Sequence, residues 1–481
     1  MLSTVTASTL AVQVRQLPEA TVPRAVAPAF GHLPGLALLE SSQQGVLGRY
    51  SYLTADPFVR MESTGDRITV EWPQQPQRST VFHGQPFAAL RELLAEYAVP
   101  FAPHGPPFQG GAVGAFGYDL GRQLEELPSY AHCDVPTPEM SLGFYDWVLA
   151  HDHHTDTSWL VTTGLPDRTN DAALARQTQV TGILAGWQAR NGNHESAAGS
   201  FRLTTPLEAN TVREQYLAMV QRAQDYIAAG DIYQVNLSQR FAAGWEGSPW
   251  TLYERLQQES PVPFAAFLDL GDSWVVSASP ERFLHVRDRA VESRPIKGTR
   301  PRGGTPTLDS ALAEELRTSE KDRAENLMIV DLLRNDLGKV CRLGSVHVPT
   351  LWHVEGYSNV WQLVSAVTGE LRPEADAVAV LEAAFPGGSV TGCPKIRAME
   401  IIEELEPVRR GIYCGAIGYL GFDGTMDTSI VIRTVVLTRD RLYLQVGGAV
   451  VADSDPQAEY EETLVKAQAA RRVLEGSASQ Q

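Results

Sequence analysis

The chain has 481 residues, 43% of them hydrophobic and 20% charged, so it is globular and long enough to bury a substantial core. Its formal net charge of -17 and pI near 5.1 disfavour nucleic acid and anionic membranes as partners, since both reward clustered Lys and Arg. No uninterrupted apolar run approaches a membrane span, and Cys133, Cys341, Cys393 and Cys414 form no C-x-x-C pair; a disulfide framework or zinc site is not expected, and a reducing cytoplasm fits best.

In chain order, residues 1–13 are apolar and Ser/Thr-rich, with no basic residue before Arg15, and read as mature sequence rather than a signal peptide. The region to about residue 190 is expected to be β-rich. Segments 67–72 and 144–149 mix β-branched and aromatic residues between Gly and Pro, with one helix at 86–97. His151, His153 and His154 lie in a polar stretch that reads as a surface turn. The polar, small-residue stretch 189–200 is the best linker candidate. The expected organisation is therefore an N-terminal region 1–190, a linker 191–205 and a second domain 206–475.

Beyond the linker, Thr211-x-x-Glu214 has the form of a capping box. Val212, Tyr216, Met219, Val220, Ala223 and Ile227 follow at helical spacing up to Gly230. Further helices are expected at 322–337, from Pro394 until Pro407 stops it, and at 456–474, with strands at 274–279, 429–437 and 442–446. The mixed order predicts an α+β fold.

Four features could carry chemistry. Asp322 and Glu325 share a face of one predicted helix, and Glu459 and Glu462 repeat that spacing on the last. Spacing alone favours two solvated helix faces; the alternative is a site for a hard cation such as Mg²⁺. The Gly-rich run 387–395 feeds a helix N-terminus, and is either an anion cradle or a tight turn. Gly447-Gly448 is a second place where backbone can approach a ligand. Residues 294–303 (RPIKGTRPRG) concentrate four positive charges in an acidic chain. A basic surface loop is the default reading, but three arginines near Lys297 would lower its pKa, and an unperturbed Lys is neutral in only about 1 molecule in 2,500 at pH 7.

Taken together, GDIYQVNLSQRF (230–241), SASPERF (277–283), RPIKGTRPRG (294–303), AENLMIVDLLRNDLGKVC (324–341), FPGGSVTGCPKIRAMEIIEELEP (385–407), GAIGYLG (415–421), IRT (432–434), GGAVV (447–451) and EYEETLVKA (459–467) resemble the chorismate-utilising enzymes. That family includes the synthase subunits for anthranilate and aminodeoxychorismate and the isochorismate and salicylate synthases. The resemblance implies a large fold of packed, mainly antiparallel sheets flanked by helices. It assigns Mg²⁺ to Glu325 and Glu462 directly, with Asp322 and Glu459 acting through water, and places the ring carboxylate of chorismate between metal and Thr391–Gly392. Tyr419, Arg433, the Gly447–Gly448 backbone and Lys466 would take the enolpyruvyl carboxylate, and Glu281 would be the general acid for the C4 hydroxyl. Leu38 to Ser41 match the L-L-E-S motif around a tryptophan pocket in the anthranilate relatives, which makes Leu39, Glu40 and Ser41 candidates for such a pocket here.

Two positions choose among branches. Gln234 stands where the isochorismate and salicylate synthases carry a Lys base, which disfavours addition of water. Lys297 stands where anthranilate synthases generally have Ala, and resembles the aminodeoxychorismate branch, in which this Lys attacks C2. One departure is Gln362, where many relatives have His before Leu-Val-Ser; it mildly supports a product that keeps its enolpyruvyl group. The expectation is an enzyme that aminates chorismate at C4 with ammonia from a separate glutamine amidotransferase subunit, on the route to p-aminobenzoate and folate. The alternatives are the large subunit of an anthranilate synthase and a non-catalytic scaffold that binds an amidotransferase.

Overall fold

The computed structural model describes residues 12–18, 21–45, 47–189, 199–357 and 360–476. Most of the segment read as a mature N-terminus (1–11), and 190–198 of the expected linker, lie outside the described residues.

Two antiparallel sheets form the centre. The first runs Gln13–Gln16, Thr157–Thr162, Trp147–Asp152, Tyr50–Thr54, Ala37–Glu40, Phe264–Asp269, Ser273–Ser279, Thr434–Thr438, Arg441–Val450, Gln234–Gly247 and Phe201–Leu203. The second runs Ile296–Pro301, Val360–Glu370, Ala290–Ser293, Arg282–Arg287, Met426–Ile430, Ala416–Gly421, Gly111–Phe116, Met140–Tyr145, Val59–Thr64, Arg67–Glu71 and Thr80–His83. Each sheet passes from N-terminal to C-terminal strands at one seam. In the first sheet Ala37–Glu40 meets Phe264–Asp269, and in the second Gly111–Phe116 meets Ala416–Gly421.

The sheets pack face to face, and side-chain alternation along each strand divides it between two cores. In Trp147–Asp152, Val148 and Ala150 enter the core between the sheets, while Trp147 and Leu149 enter the core beneath the helices. Phe264–Asp269 does the same, with Ala266 and Leu268 on the inner face and Ala265 and Phe267 on the outer one. Both faces are covered, so such strands are buried along their length instead of alternating polar and apolar. Helices Asn170–Ala189, Pro249–Glu259 and Pro456–Glu475 supply residues to the core outside the first sheet. Pro86–Glu96, Glu320–Gly338, Ala377–Ala384 and Lys395–Leu405 do so for the second. This is the α+β arrangement of packed antiparallel sheets flanked by helices that the sequence predicts. No helix among the described residues is long and apolar enough to cross a membrane.

Several local expectations need correction. The single strand expected at 429–437 is two, Met426–Ile430 and Thr434–Thr438, in different sheets. Residues 144–149 are likewise divided between Met140–Tyr145 and Trp147–Asp152, with buried Asp146 at the bend held by Arg176 at 3.0 Å. Hydrophobic content persists through both bends, so it hides them. The helix after residue 211 starts at Arg213 with Val212 as N-cap, whose N–H donates to Gln215 Oε1 at 3.2 Å; Thr211 does not cap it. His151 is no surface residue: it is buried on a strand, 2.9 Å from Ser158 Oγ. Residues 296–301 of the expected basic loop are a strand.

Candidate active site

The chain leaves the first sheet for the second between Ser279 and Arg282, and returns between Ile430 and Thr434. Glu281 stands at the first corner and Arg433 at the second. The two corners are sewn together: Ile430 N–H donates to Glu281 O at 3.1 Å, and Ala278 N–H donates to Arg433 O at 3.1 Å. Arg433 is held at φ 52°, a left-handed conformation costly for a long side chain. Its guanidinium has no hydrogen-bond partner among the described residues, which leaves it open to a carboxylate. Burial pulls Arg433 below the usual arginine range while Glu281 opposes this. Burial pushes the Glu281 carboxyl up to about 7, against the hydroxyl of Ser389, the charge of Lys297, the main chain at Ile296 and the charge of Arg433. An acid of that strength keeps its proton near neutral pH and can still release it.

Lys297 lies on the edge strand Ile296–Pro301, where pairing with Val360–Glu370 shifts register between Ile296 and Thr299. This irregularity re-aims the side chain, and Gly298, at φ 79°, makes it possible: a Cβ there would come within 2.8 Å of the Asp322 carboxylate. Burial lowers the Lys297 pKa, with Lys466 acting the same way and Glu325, Glu281 and Glu462 opposing. The neighbouring arginines are not the cause. Arg294 pairs with Glu355, Arg300 with Glu315 at 2.7 Å and Asp322 at 3.1 Å, and Arg302 with Asp309 at 2.6 Å. The loop's charge is neutralised locally, and desolvation is what acts on the lysine.

Asp322 and Glu325 project from Glu320–Gly338, and Glu459, Glu462 and Lys466 from Pro456–Glu475. The two pairs feel each other: Glu462 is among the charges that act on Glu325, and also on Glu459. Burial raises Glu325 and Glu459; for Glu462, burial is outweighed by Lys466, Lys321 and Lys297, and the pKa falls. Lys466 Nζ lies 2.6 Å from Glu462 Oε1 and donates to Gly447 O at 3.0 Å. Gly448 borders the same group, because a Cβ on it would stand 3.0 Å from Glu459 Oε2. Among the described residues, no three carboxylates come close enough to hold an ion as they stand.

Gln234 is fully buried, and neither of its amide atoms has a hydrogen-bond partner. Its strand is paired to Gly392 and Cys393, and Asn236 N–H donates to Thr391 O at 2.7 Å. Thr391 spends its hydroxyl on Gly387 O at 3.0 Å, so its contribution to a ligand is backbone. The expected junction with a helix N-terminus is looser, since the helix starts at Lys395, after a short turn and the bridge at Gly392.

Tyr419 is misplaced by the sequence reading. It stacks on Phe108 at 4.3 Å and lines a separate cavity, with none of the reactive groups around it. Tyr413, six residues earlier, lies beside the Gly447 backbone instead: a Cβ on Gly447 would stand 3.1 Å from Tyr413 Oη. The G-x-Y pattern before the strand was the available signal. Arg410 was also missed. It is buried, pairs with Glu406 at 2.7 Å, and donates to Val390 O and Asn236 O at 2.8 and 2.7 Å, tying the turn before Thr391 to the strand of Gln234.

The separate cavity, of about 250 Å³, lies where the two seams meet, with Leu39, Glu40, Ser41, Phe264, Ala266 and Tyr419 among its walls. Glu40 turns its carboxylate away, to Tyr253 Oη and to Arg24 at 3.4 Å. Ser41 Oγ donates to backbone at Tyr50 and Pro263.

Comparison with known proteins bears on this geometry. The family described as chorismate binding enzyme matches residues 43–472. Aminodeoxychorismate synthase component 1 of Salmonella typhimurium is 45% identical, covering 90% of this chain and 92% of its own length. Anthranilate synthase component 1 of Cereibacter sphaeroides is 40% identical, covering 91% and 89%. The crystal structure of anthranilate synthase component I from Streptococcus pneumoniae superposes with a TM-score of 0.77 at 33% identity, covering 89% of this chain and 93% of that one.

Proposed function

The chain belongs to the chorismate binding enzymes, and from that premise we propose that it aminates chorismate at C4, giving 4-amino-4-deoxychorismate with ammonia from a separate glutamine amidotransferase subunit. This is the reaction of the aminodeoxychorismate synthases it resembles, and its product leads to p-aminobenzoate and folate. The observation that carries the choice is Lys297, half-buried and without a hydrogen-bond partner among the described residues, beside a carboxyl poised near neutrality.

Neutral Lys297 bonds to C2 as Glu281 gives its proton to the C4 hydroxyl, which leaves as water while the double bonds shift. Ammonia then bonds to C4, the double bonds return, and the Lys297 amine is expelled, with Glu281 taking up the spare proton. Arg433, Tyr413 and Lys466 receive the enolpyruvyl carboxylate, and the Thr391–Gly392 backbone the ring carboxylate. This concentration of cations lets a chain of charge -17 bind a dianion. Gln234 offers amide groups but no base, consistent with ammonia rather than water as nucleophile.

Magnesium fits the carboxylate set. All donors are oxygen, they come from two helices, and buried Glu459 Oε2 has no hydrogen-bond partner. Glu325 and Glu462 would hold the ion, with Asp322 and Glu459 through its waters. Bound there, it supplies positive charge to the ring carboxylate. Leu39 and Ser41 make the seam cavity a candidate tryptophan pocket, and the four free cysteines fit a cytoplasmic location.

The test is the product. Purified chain with chorismate, Mg²⁺ and ammonium should yield 4-amino-4-deoxychorismate, and with glutamine alone should yield nothing. Intact-protein mass should reveal a Lys297 adduct when ammonia is withheld, absent in Lys297→Ala. Anthranilate as the product, or full para-amination by Lys297→Ala, would replace this reading with the anthranilate one or with another nucleophile.

A further inference from the structure

Carboxylates facing one another without a metal repel, and this chain balances them with lysines. Lys466 neutralises Glu462 at 2.6 Å. Lys297 and Lys321 both act on Glu325, and Lys321 does so from one turn earlier on the same helix, with its ammonium 3.9 Å from Glu325 Oε1. Its charge also reaches across to Glu459 and Glu462 on the last helix. One ammonium, paired with Glu325, is therefore felt by three of the four carboxylates.

Lys321 has no place in the proposed substrate site, and its side chain is 56% exposed, so substitution there disturbs little packing. Meanwhile Glu459 is only 4% exposed, and its Oε2 has no hydrogen-bond partner, the mark of a donor waiting for a ligand. Donors already matched by an internal ammonium take up a divalent ion by exchange, because the entering charge repels the resident one at the same carboxylates.

We infer that Lys321 is a resident counter-ion of this cluster, displaced when the divalent cation enters, and that it thereby sets the affinity of the site for magnesium. The inference rests on the magnesium reading above. Removing the lysine leaves carboxylates that lack their balance, so the empty site becomes a stronger cation trap. Exposed ion pairs are individually weak, and the gain in affinity from losing this one is about fivefold. It shrinks as ionic strength rises.

Isothermal titration of MgCl₂ into the substrate-free full chain tests this in a graded series. Lys321→Arg should bind like wild type, Lys321→Met about fivefold tighter, and Lys321→Glu tighter again. Equal or weaker binding by both Met and Glu variants, with wild type binding saturably, would overturn the counter-ion role and leave the metal reading standing. If wild type takes up no magnesium and Glu462→Gln behaves identically, the metal reading falls and takes this inference with it.

Discussion

At Glu281 the folded state holds a proton that the unfolded chain releases at lower pH. Burial raises this carboxyl from 4.5 to about 7, so between those values the native state binds the proton more tightly. Its contribution to stability is fully present below pH 4.5 and is lost as pH rises to 7, where ionisation costs about 3 kcal/mol. Glu281→Gln keeps the shape and cannot ionise. Thermal melts should therefore show the variant several degrees more stable than wild type at pH 8, with the difference closing toward pH 4.5. Turnover should fall by about 10² to 10⁴, since an amide has no proton to give the leaving hydroxyl. A difference between variant and wild type that is constant with pH would contradict the raised pKa. At this scale the residues alone pointed to Lys297, in its cluster of positive charge, while Glu281 and Gln234 came only from the family resemblance. The sequence misled where two like residues compete, as with Tyr413 and Tyr419. Only the position at which the strand begins tells which ring reaches the site.

Elements place those residues through their irregularities. Glu281 and Arg433 occupy corners between sheets, Lys297 a shifted register, and Gly392 and Gly448 close approaches of backbone to neighbours. Helices with clear stops, such as Pro456–Glu475, were readable to within a residue or two. The corners were not, because Val431 and Ile432 carry apolar character straight through the bend. Nor did spacing alone bring Asp322–Glu325 to Glu459–Glu462; the convergence depends on which helix covers which sheet. The glycines separate site from scaffold. At Gly392 a Cβ would stand 2.2 Å from Gln234 O, so Gly392→Ala should damage folding itself. At Gly448 the nearest atom is Glu459 Oε2 at 3.0 Å, with Glu462 Oε1 at 3.8 Å. Gly448→Ala should therefore melt within about 1 °C of wild type, while magnesium affinity and turnover drop at least about tenfold. A large loss of stability with normal activity would show that Gly448 serves the strand and not the carboxylates.

The whole molecule is a sandwich whose two halves share both sheets. Strands before residue 190 fill one end of each sheet and strands after 200 the other, joined along Ala37–Glu40 with Phe264–Asp269 and along Gly111–Phe116 with Ala416–Gly421. Separating the halves would strip a hydrogen-bonded neighbour from each sheet at once and open the core in which Ala266, Leu268, Ile417 and Tyr419 meet Ala37, Tyr52 and Val113. The composition shift near residue 190 marks a change of texture, and the sequence boundary drawn there runs along a surface that is buried in the fold. Full-length chain should therefore melt in a single calorimetric transition, and residues 199–481 expressed alone should aggregate or bind hydrophobic dye. Co-expression with residues 1–198 should restore soluble protein and turnover. The seam cavity sharpens the expectation, because its walls come from both sheets and both halves. A ligand bound there contacts strands of the first sheet from both halves and C-terminal strands of the second, so it should raise the melting temperature of the full chain by mass action. Two well-separated transitions, or a soluble and active 199–481 fragment, would show instead that the catalytic half folds without its neighbour.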